Sequence, residues 1–372
     1  MNNMEAIEGI VISLVVACFL LNTGRGLKAI EICKECLIFL HAKAPEKEKQ
    51  FVKSACSAIY NTMFKAYRLM RDYTNAMKYG RELLAVNHEL GEIAQEKNIA
   101  IELAKIYERQ FKYAEARKLY EKVIDITKDT GDRKRQAFAY GKLGTMSYHL
   151  GEYVKAKEYL ETECAIRIEI GGREEEAISS TNLGTVFRCL GQCDKAKEYH
   201  EKALAIRIEI GDKAGEATDY GNIGNVFQSL GEYDKAKEYL EKALAIKTEI
   251  GDREGKAADY QNLATVFLSL GECDKAKEYH EKALAIRIEI GDREGEASSY
   301  GNLGTFFQSL GEHDKAIEYH EKGLAIRIEI GDRDGEAADY GNLGAVFKSL
   351  GEYCKAKEYL EKALVIKNET GD

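Results

Sequence analysis

Asparagine stands at positions 182, 222, 262, 302 and 342, one every 40 residues. An asparagine side chain donates through its NH2 and accepts through its carbonyl oxygen. It therefore complements a peptide bond, which offers one donor and one acceptor. A column formed by Asn182, Asn222, Asn262, Asn302 and Asn342 suits the backbone of an extended peptide and need not read its side chains. The neighbours are small or polar. Thr181, Gly221, Gly301 and Gly341 precede the asparagine, and Thr185, Asn225 and Thr305 follow it by three residues. Small residues there are expected to leave room for a ligand backbone. In earlier copies the same position holds Thr62, Glu102 and Lys142, so the column stops there. Duplication of near-identical copies is the alternative origin of the column.

The other chemistry-bearing residues do not assemble into a catalytic pattern. His200, His280 and His320 alternate with Leu160, Leu240 and Leu360 at one repeat position, and exchange with leucine marks a packing position. Cys33 and Cys36 form one CxxC without a second pair, whereas a zinc site needs four ligands. Cys189 and Cys193 lie one turn apart and read as incidental free thiols. The nine cysteines do not follow the repeat, so a disulfide framework is not expected. No GK[ST] phosphate loop occurs. Carboxylates recur with the scaffold, so none is singled out for acid–base work. No Ser/His/Asp or Cys/His set stands apart from the repeat. We expect no enzyme activity, no cofactor and no metal.

The elements that position the asparagines are repeats. Units of 40 residues begin at Gly171, Gly211, Gly251, Gly291 and Gly331. A unit this small cannot bury its own apolar face, so it must stack on its neighbours. Within one unit, Tyr220, Ile223, Phe227 and Leu230 fall at spacings of three and four, the apolar stripe of a helix. Gly231 is its stop. Asp234 is expected to cap a second helix, with Ala236, Tyr239, Leu240, Ala243 and Leu244 as its stripe. Gly251 ends that helix and Asp252 caps the next. Gly224 and Ala236 are expected to bring the two helices close together. The column Tyr220, Tyr260, Tyr300 and Tyr340 is expected in the core.

Tyr220, Ile223-Gly224, Phe227, Gly231, Tyr233, Ala236, Leu240 and Ala243 together resemble the tetratricopeptide repeat signature. Tyrosine replaces the frequent tryptophan, and the unit is longer than the usual ~34 residues. The pattern recurs at Leu183-Gly184, Leu263-Ala264, Leu303-Gly304 and Leu343-Gly344, and begins at Leu143-Gly144. Units of this length resemble those of LGN/Pins and of large multi-repeat tetratricopeptide proteins; kinesin light chain is a more distant parallel. The resemblance implies an all-α, right-handed α-solenoid of about nine helix-turn-helix units. It also implies that the first helices line a concave groove. There the asparagine column is similar to the asparagine ladder of O-GlcNAc transferase and to the asparagines of LGN/Pins grooves. G-protein and motor functions are not carried over, because their accompanying segments are not visible here.

Residues 1–130 read as degenerate units and 131–372 as the regular array. Tyr107, Tyr113, Ala116 and Tyr120 keep the phase, as do Tyr67, Tyr73 and Ala76. A first unit fits at about 10–43, with an insertion at about 42–49 that contains Pro45. Ile10–Leu21 is 12 residues of apolar sequence, short of the roughly 20 needed to span a bilayer. It lacks a preceding cationic stretch, so a buried first helix is expected in place of a signal or anchor. The sequence stops at Gly371-Asp372, the opening dipeptide of another unit, without a polar capping helix. A last helix that tolerates exposure, or a fragment of a longer protein, is expected.

The composition agrees: 45% hydrophobic, 31% charged, one proline and no tryptophan in 372 residues. That is an ordered helical chain. A net charge of −9 speaks against nucleic acid as partner. Glu238–Lys242 and Glu278–Lys282 read as i,i+4 pairs on a solvated face. The expected function is a cytoplasmic, non-enzymatic adaptor that binds an extended or helical segment of a partner protein. Nucleic-acid and membrane partners are not expected. Specificity would come from a row that varies between units, Arg188, Gln228, Leu268, Gln308 and Lys348. Its positive and neutral groups favour an acidic or polar peptide. Asp219, Asp259 and Asp339 are expected near the rim. Two alternatives remain: a structural element that self-associates through its ends, and the regulatory arm of an enzyme whose catalytic domain lies elsewhere.

Overall fold

The structure, a computed structural model, describes residues 3–43 and 49–370. Among them the regular structure is entirely helical, in eighteen helices. Pro45 and the core of the expected insertion lie outside the described residues, as do Gly371 and Asp372.

The chain divides into two compact units, Met1–Gly172 and Arg173–Asp372. The first holds α1 (Asn3–Asn22), α2 (Gly26–Lys43), α3 (Lys49–Leu69), α4 (Tyr73–Leu90), α5 (Ile93–Arg109), α6 (Tyr113–Thr130), α7 (Arg133–His149) and α8 (Tyr153–Ile170). The second holds α9 (Arg173–Cys189), α10 (Cys193–Ile210), α11 (Lys213–Ser229), α12 (Tyr233–Ile250) and α13 (Arg253–Ser269). It continues with α14 (Cys273–Ile290), α15 (Arg293–Ser309), α16 (His313–Ile330), α17 (Arg333–Ser349) and α18 (Tyr353–Thr370).

Helices pack in sequential pairs, α11 on α12 and α13 on α14, and within each unit one pair packs on the next. In the second unit, odd-numbered helices also touch one another: α9 with α11, α11 with α13, α15 with α17. They form one layer. The core between the layers holds Ile223, Phe227, Leu240, Leu263, Phe267, Leu303 and Phe307. Each large side chain buried there stabilises by roughly 1.5–3 kcal/mol.

Helix ends follow the turn residues. Gly231 sits just past α11 with φ +74° and stops it. Asp252 caps α13, its carboxylate accepting from the Gly255 N–H at 2.8 Å. Asp234 is not a cap: α12 begins at Tyr233 after Glu232, so Asp234 lies inside the first turn. There its charge still faces the positive end of the helix dipole. The close approach at Gly224 is real. A Cβ there would lie 2.8 Å from Leu240 Cγ and 3.2 Å from the Ala236 carbonyl oxygen.

Two positions of this kind break the glycine pattern. Arg71 and Phe111 stand where later units have glycine, and both keep the left-handed conformation, at φ 59° and 55°. A left-handed conformation costs a residue with a side chain about 1–2 kcal/mol. Phe111 is also 79% exposed and gains little from packing. Phe111→Gly is therefore expected to raise stability by about 0.5–1 kcal/mol after the extra unfolded-state entropy of glycine is subtracted. Thermal melting followed by circular dichroism checks this; an unchanged or lower midpoint contradicts it.

The first helix differs from expectation. Ile10 and Ala17 are buried, but Ile12, Val15 and Phe19 are each more than 60% exposed. Only one side of α1 meets α2 and α3; in α1 the apolar residues continue around the helix, so packing on one side cannot cover them. No helix among the described residues is long and apolar enough to cross a membrane.

Candidate functional groove

Asn182, Asn222, Asn262, Asn302 and Asn342 occupy equivalent places on α9, α11, α13, α15 and α17. Each precedes a fully buried residue, Leu183, Ile223, Leu263, Leu303 or Leu343. Burial of that neighbour fixes the face the asparagine takes, at the margin of the core. Asn182, Asn222, Asn262 and Asn342 are half-buried and Asn302 is exposed. None of the five side chains has a hydrogen-bond partner among the described residues. Both ends of each amide are therefore free for a ligand.

The other predicted groove residues lie further along the same helices. Thr185 Oγ1 donates to the Thr181 carbonyl oxygen, and Thr305 Oγ1 to that of Gly301, each at 3.1 Å. Their lone pairs remain as acceptors only. Asn225 is half-buried without a partner. Arg188, Gln228 and Gln308 are half-buried, Lys348 is exposed, and neither cation has an ion-pair partner among the described residues.

Three of the four residues preceding the asparagines serve a different purpose from the one expected, whereas a Cβ at Gly341 would meet nothing within 4 Å. Gly221 and Gly301 are buried, and a Cβ on either would lie 3.5 Å from an oxygen of Asp259 or Asp339. Thr181 Oγ1 donates to Asp219 Oδ1 at 2.8 Å. The space these small residues leave is filled by the aspartate of the following pair rather than held open for a ligand.

Those aspartates are not at a rim. Asp219, Asp259 and Asp339 are 0%, 2% and 1% exposed. Each meets a cation from the preceding second helix: Arg207 Nε at 3.3 Å, Lys247 Nζ at 2.8 Å, and Arg327 Nε at 2.8 Å. The Arg327 contact is one of charge, without an aligned hydrogen bond. The buried imidazoles of His200 and His320 lie 3.8 Å from Asp219 and Asp339. Helix pairs are thus joined by an ionic plug as well as by apolar contact. The tyrosine column also differs from expectation: Tyr220, Tyr260, Tyr300 and Tyr340 are half-buried. They pack on Tyr239, Tyr279, Tyr319 and Tyr359 with ring centroids 5.4–6.2 Å apart.

Burial perturbs two groups of the α12–α15 region in opposite directions. Burial lifts the Asp259 carboxyl to about 6 although the Lys247 charge pulls it down. Burial depresses His280 to about 4. His280 Nδ1 also meets the Gln261 amide at 3.0 Å. A raised Asp259 stabilises the fold at low pH and loses that contribution as pH rises through about 6. A depressed His280 stabilises above its unfolded value and loses that contribution as pH falls toward about 4. The two oppose each other between these limits. His280→Leu, the residue found at the equivalent Leu240, removes the histidine's part. Moving from pH 7 to pH 5 should therefore favour the variant over the parent by roughly 2 kcal/mol. Urea unfolding at both pH values checks this; identical pH dependence contradicts it.

None of the cysteines forms a disulfide. Burial pushes the Cys33 thiol up to about 12, which suppresses the reactive thiolate.

Antiparallel helix pairs stacked in tandem, with a row of free amides on one layer, define a helical-repeat scaffold. Family comparison makes this specific. The tetratricopeptide repeat family matches at residues 135–209, 215–289 and 295–369, and again at 98–130. The chain belongs to the tetratricopeptide repeat family. No curated protein matches it. Among solved structures it is similar to aspartyl phosphate phosphatase F from Bacillus subtilis, with 16% identity, 96% of this chain and 94% of that one covered, and a TM-score of 0.63. It is similar to the apo quorum sensor NprR from B. thuringiensis, with 14% identity, 96% and 99% coverage, and a TM-score of 0.60. A Rap protein complexed with competence and sporulation factor matches with 15% identity, 98% coverage of both chains, and a TM-score of 0.56. At these identities the likeness is one of fold. The LGN/Pins resemblance is not confirmed by these comparisons.

Proposed function

We propose that the second unit is a peptide-binding scaffold without catalytic activity of its own. The observation that carries this reading is the set of five solvent-accessible asparagine amides, in register and without internal partners. A free amide on a scaffold helix gains a hydrogen bond only from something outside the fold. The odd-numbered helices carry these amides and touch one another; the layer whose members converge is the concave one, and an extended segment lies along it. Arg188 and Lys348 give the row unpaired positive charge, which selects acidic or polar segments. The Rap complex supports the reading as a fold neighbour whose occupant is named a factor.

The test is peptide-library panning on the parent protein and on Asn222→Ala/Asn262→Ala/Asn302→Ala. Enrichment on the parent that is lost on the variant supports the groove. Equal enrichment on both places binding elsewhere and contradicts it.

A further inference from the structure

Between α3, α4 and α5 of the first unit lies a cavity of about 520 Å³, lined by polar side chains that include Asn61, Lys65, Arg68, Asn87, Asn98 and Glu102. Asn87 is 1% exposed. Its Oδ1 accepts from Ser57 Oγ at 2.7 Å, while its Nδ2 has no partner. A buried amide donor left unmade costs about 1–3 kcal/mol, so this donor is aimed at something the fold does not supply.

The repeat register shows what is missing. Asn87 stands where later units have Arg207, Lys247 and Arg327. Twelve residues on, where those units have Asp219, Asp259 and Asp339, this one has Ile99. In the second unit the aspartate carboxylate fills the junction against its cation. Here Ile99 takes the aspartate's place, and a cavity with the orphan Asn87 donor lies beside it. The charges at its edge favour an anion. Arg68 is paired with Glu102, which Lys105 also reaches at 2.9 Å. Lys65 is exposed and has no ion-pair partner among the described residues.

The geometry assigns this cavity as a carboxylate subsite: a ligand carboxylate enters beside Ile99, which stands in the place of the later units' aspartate, accepts from Asn87 Nδ2 and is attracted by Lys65. The group is the end of an acidic peptide side chain or a small free dicarboxylic acid. The subsite lies wholly within the first unit and does not depend on the asparagine column.

The test is a titration of the protein followed by isothermal titration calorimetry on every variant, and in the parent and Lys65→Gln also through the Asn87 side-chain amide resonances. Probes are N-acetyl-Ala-Glu-Ala-amide, its Gln counterpart, and glutarate. Two variants accompany the parent. Asn87→Thr installs the residue of the next unit, Thr127, whose hydroxyl satisfies itself on the Val123 and Ile124 carbonyls. Lys65→Gln alters an exposed side chain and leaves the fold untouched. Saturable binding of a carboxylate probe is expected, about tenfold tighter than the Gln peptide, with each variant weakening it about fivefold or more. Tighter binding of the Glu peptide than of glutarate identifies a peptide source; the reverse identifies a free acid. No saturable shift, equal binding of Glu and Gln peptides, or unchanged binding by Lys65→Gln overturns the assignment.

Discussion

Arg327→Met should lower the unfolding free energy of the second unit by about 3–5 kcal/mol at pH 7. The cation lies 2.8 Å from a carboxylate oxygen of Asp339, which is 1% exposed. Methionine keeps the apolar stem but leaves the carboxyl of Asp339 buried beside a histidine without its cation, and breaking a buried pair by removing one partner is expensive. Asp339→Ser should be much milder, about 1 kcal/mol, because Arg327 retains Asp332 at 2.9 Å. The chain already contains that solution: where Ser299 replaces the aspartate, Arg287 turns to Asp292. Arg327→Met/Asp339→Ser should recover about 2 kcal/mol or more of the single-mutant loss, a coupling typical of residues in contact. Repeat arrays open piecewise, so urea unfolding should be accompanied by hydrogen exchange on α15 to α17. Additive losses would show that the ionic contact does not hold the junction.

The second large effect is on binding. Each asparagine of the column offers a donor and an acceptor to a peptide bond, and a net hydrogen bond contributes about 0.5–1.5 kcal/mol. Asn222→Ala/Asn262→Ala/Asn302→Ala removes the three central amides. Affinity for a selected peptide should fall about 100-fold or more, from a loss of roughly 3 kcal/mol or greater. Stability should hardly change, because none of these amides has an internal partner among the described residues. A fall in affinity with an unchanged melting curve separates a binding role from a structural one. An unchanged affinity would mean that duplication alone produced the column.

What the sequence made legible is what the repeat enforces locally. Helix pairing, the left-handed glycines such as Gly231 and the caps such as Asp252 depend on residues a few positions apart, and their types declare them. The helix face that the asparagines take was equally legible, since Asn222 lies one residue before an obligatory core residue, Ile223. The aspartates were not. Asp259 stands beside a half-buried tyrosine and reads as solvated, while its partner Lys247 is on another helix. The partner position also stays cationic where the aspartate is absent, as at Arg287 opposite Ser299, so comparing units gave no pairing signal. Gly221 and Gly301 misled for the same reason: a small residue marks a close approach but not what approaches. Asp234 misled because two acids flank the start of α12 and only the chain path after Gly231 decides which one begins the turn. In the first unit the loss of both charged partners, at Asn87 and Ile99, looks like simple degeneracy, and the cavity emerges only when α3, α4 and α5 are assembled.

The most direct test of the central claim, that the asparagines read a peptide backbone, is a comparison of one selected peptide with its backbone N-methylated form by isothermal titration. Both are measured on the parent and on Asn222→Ala/Asn262→Ala/Asn302→Ala. N-methylation removes backbone donors and leaves every side chain in place. Methylation is expected to weaken binding to the parent about tenfold or more, yet to change little on the variant, where the acceptors are already gone. An equal penalty on both proteins would contradict it, because the backbone would then be read by something other than the asparagine column.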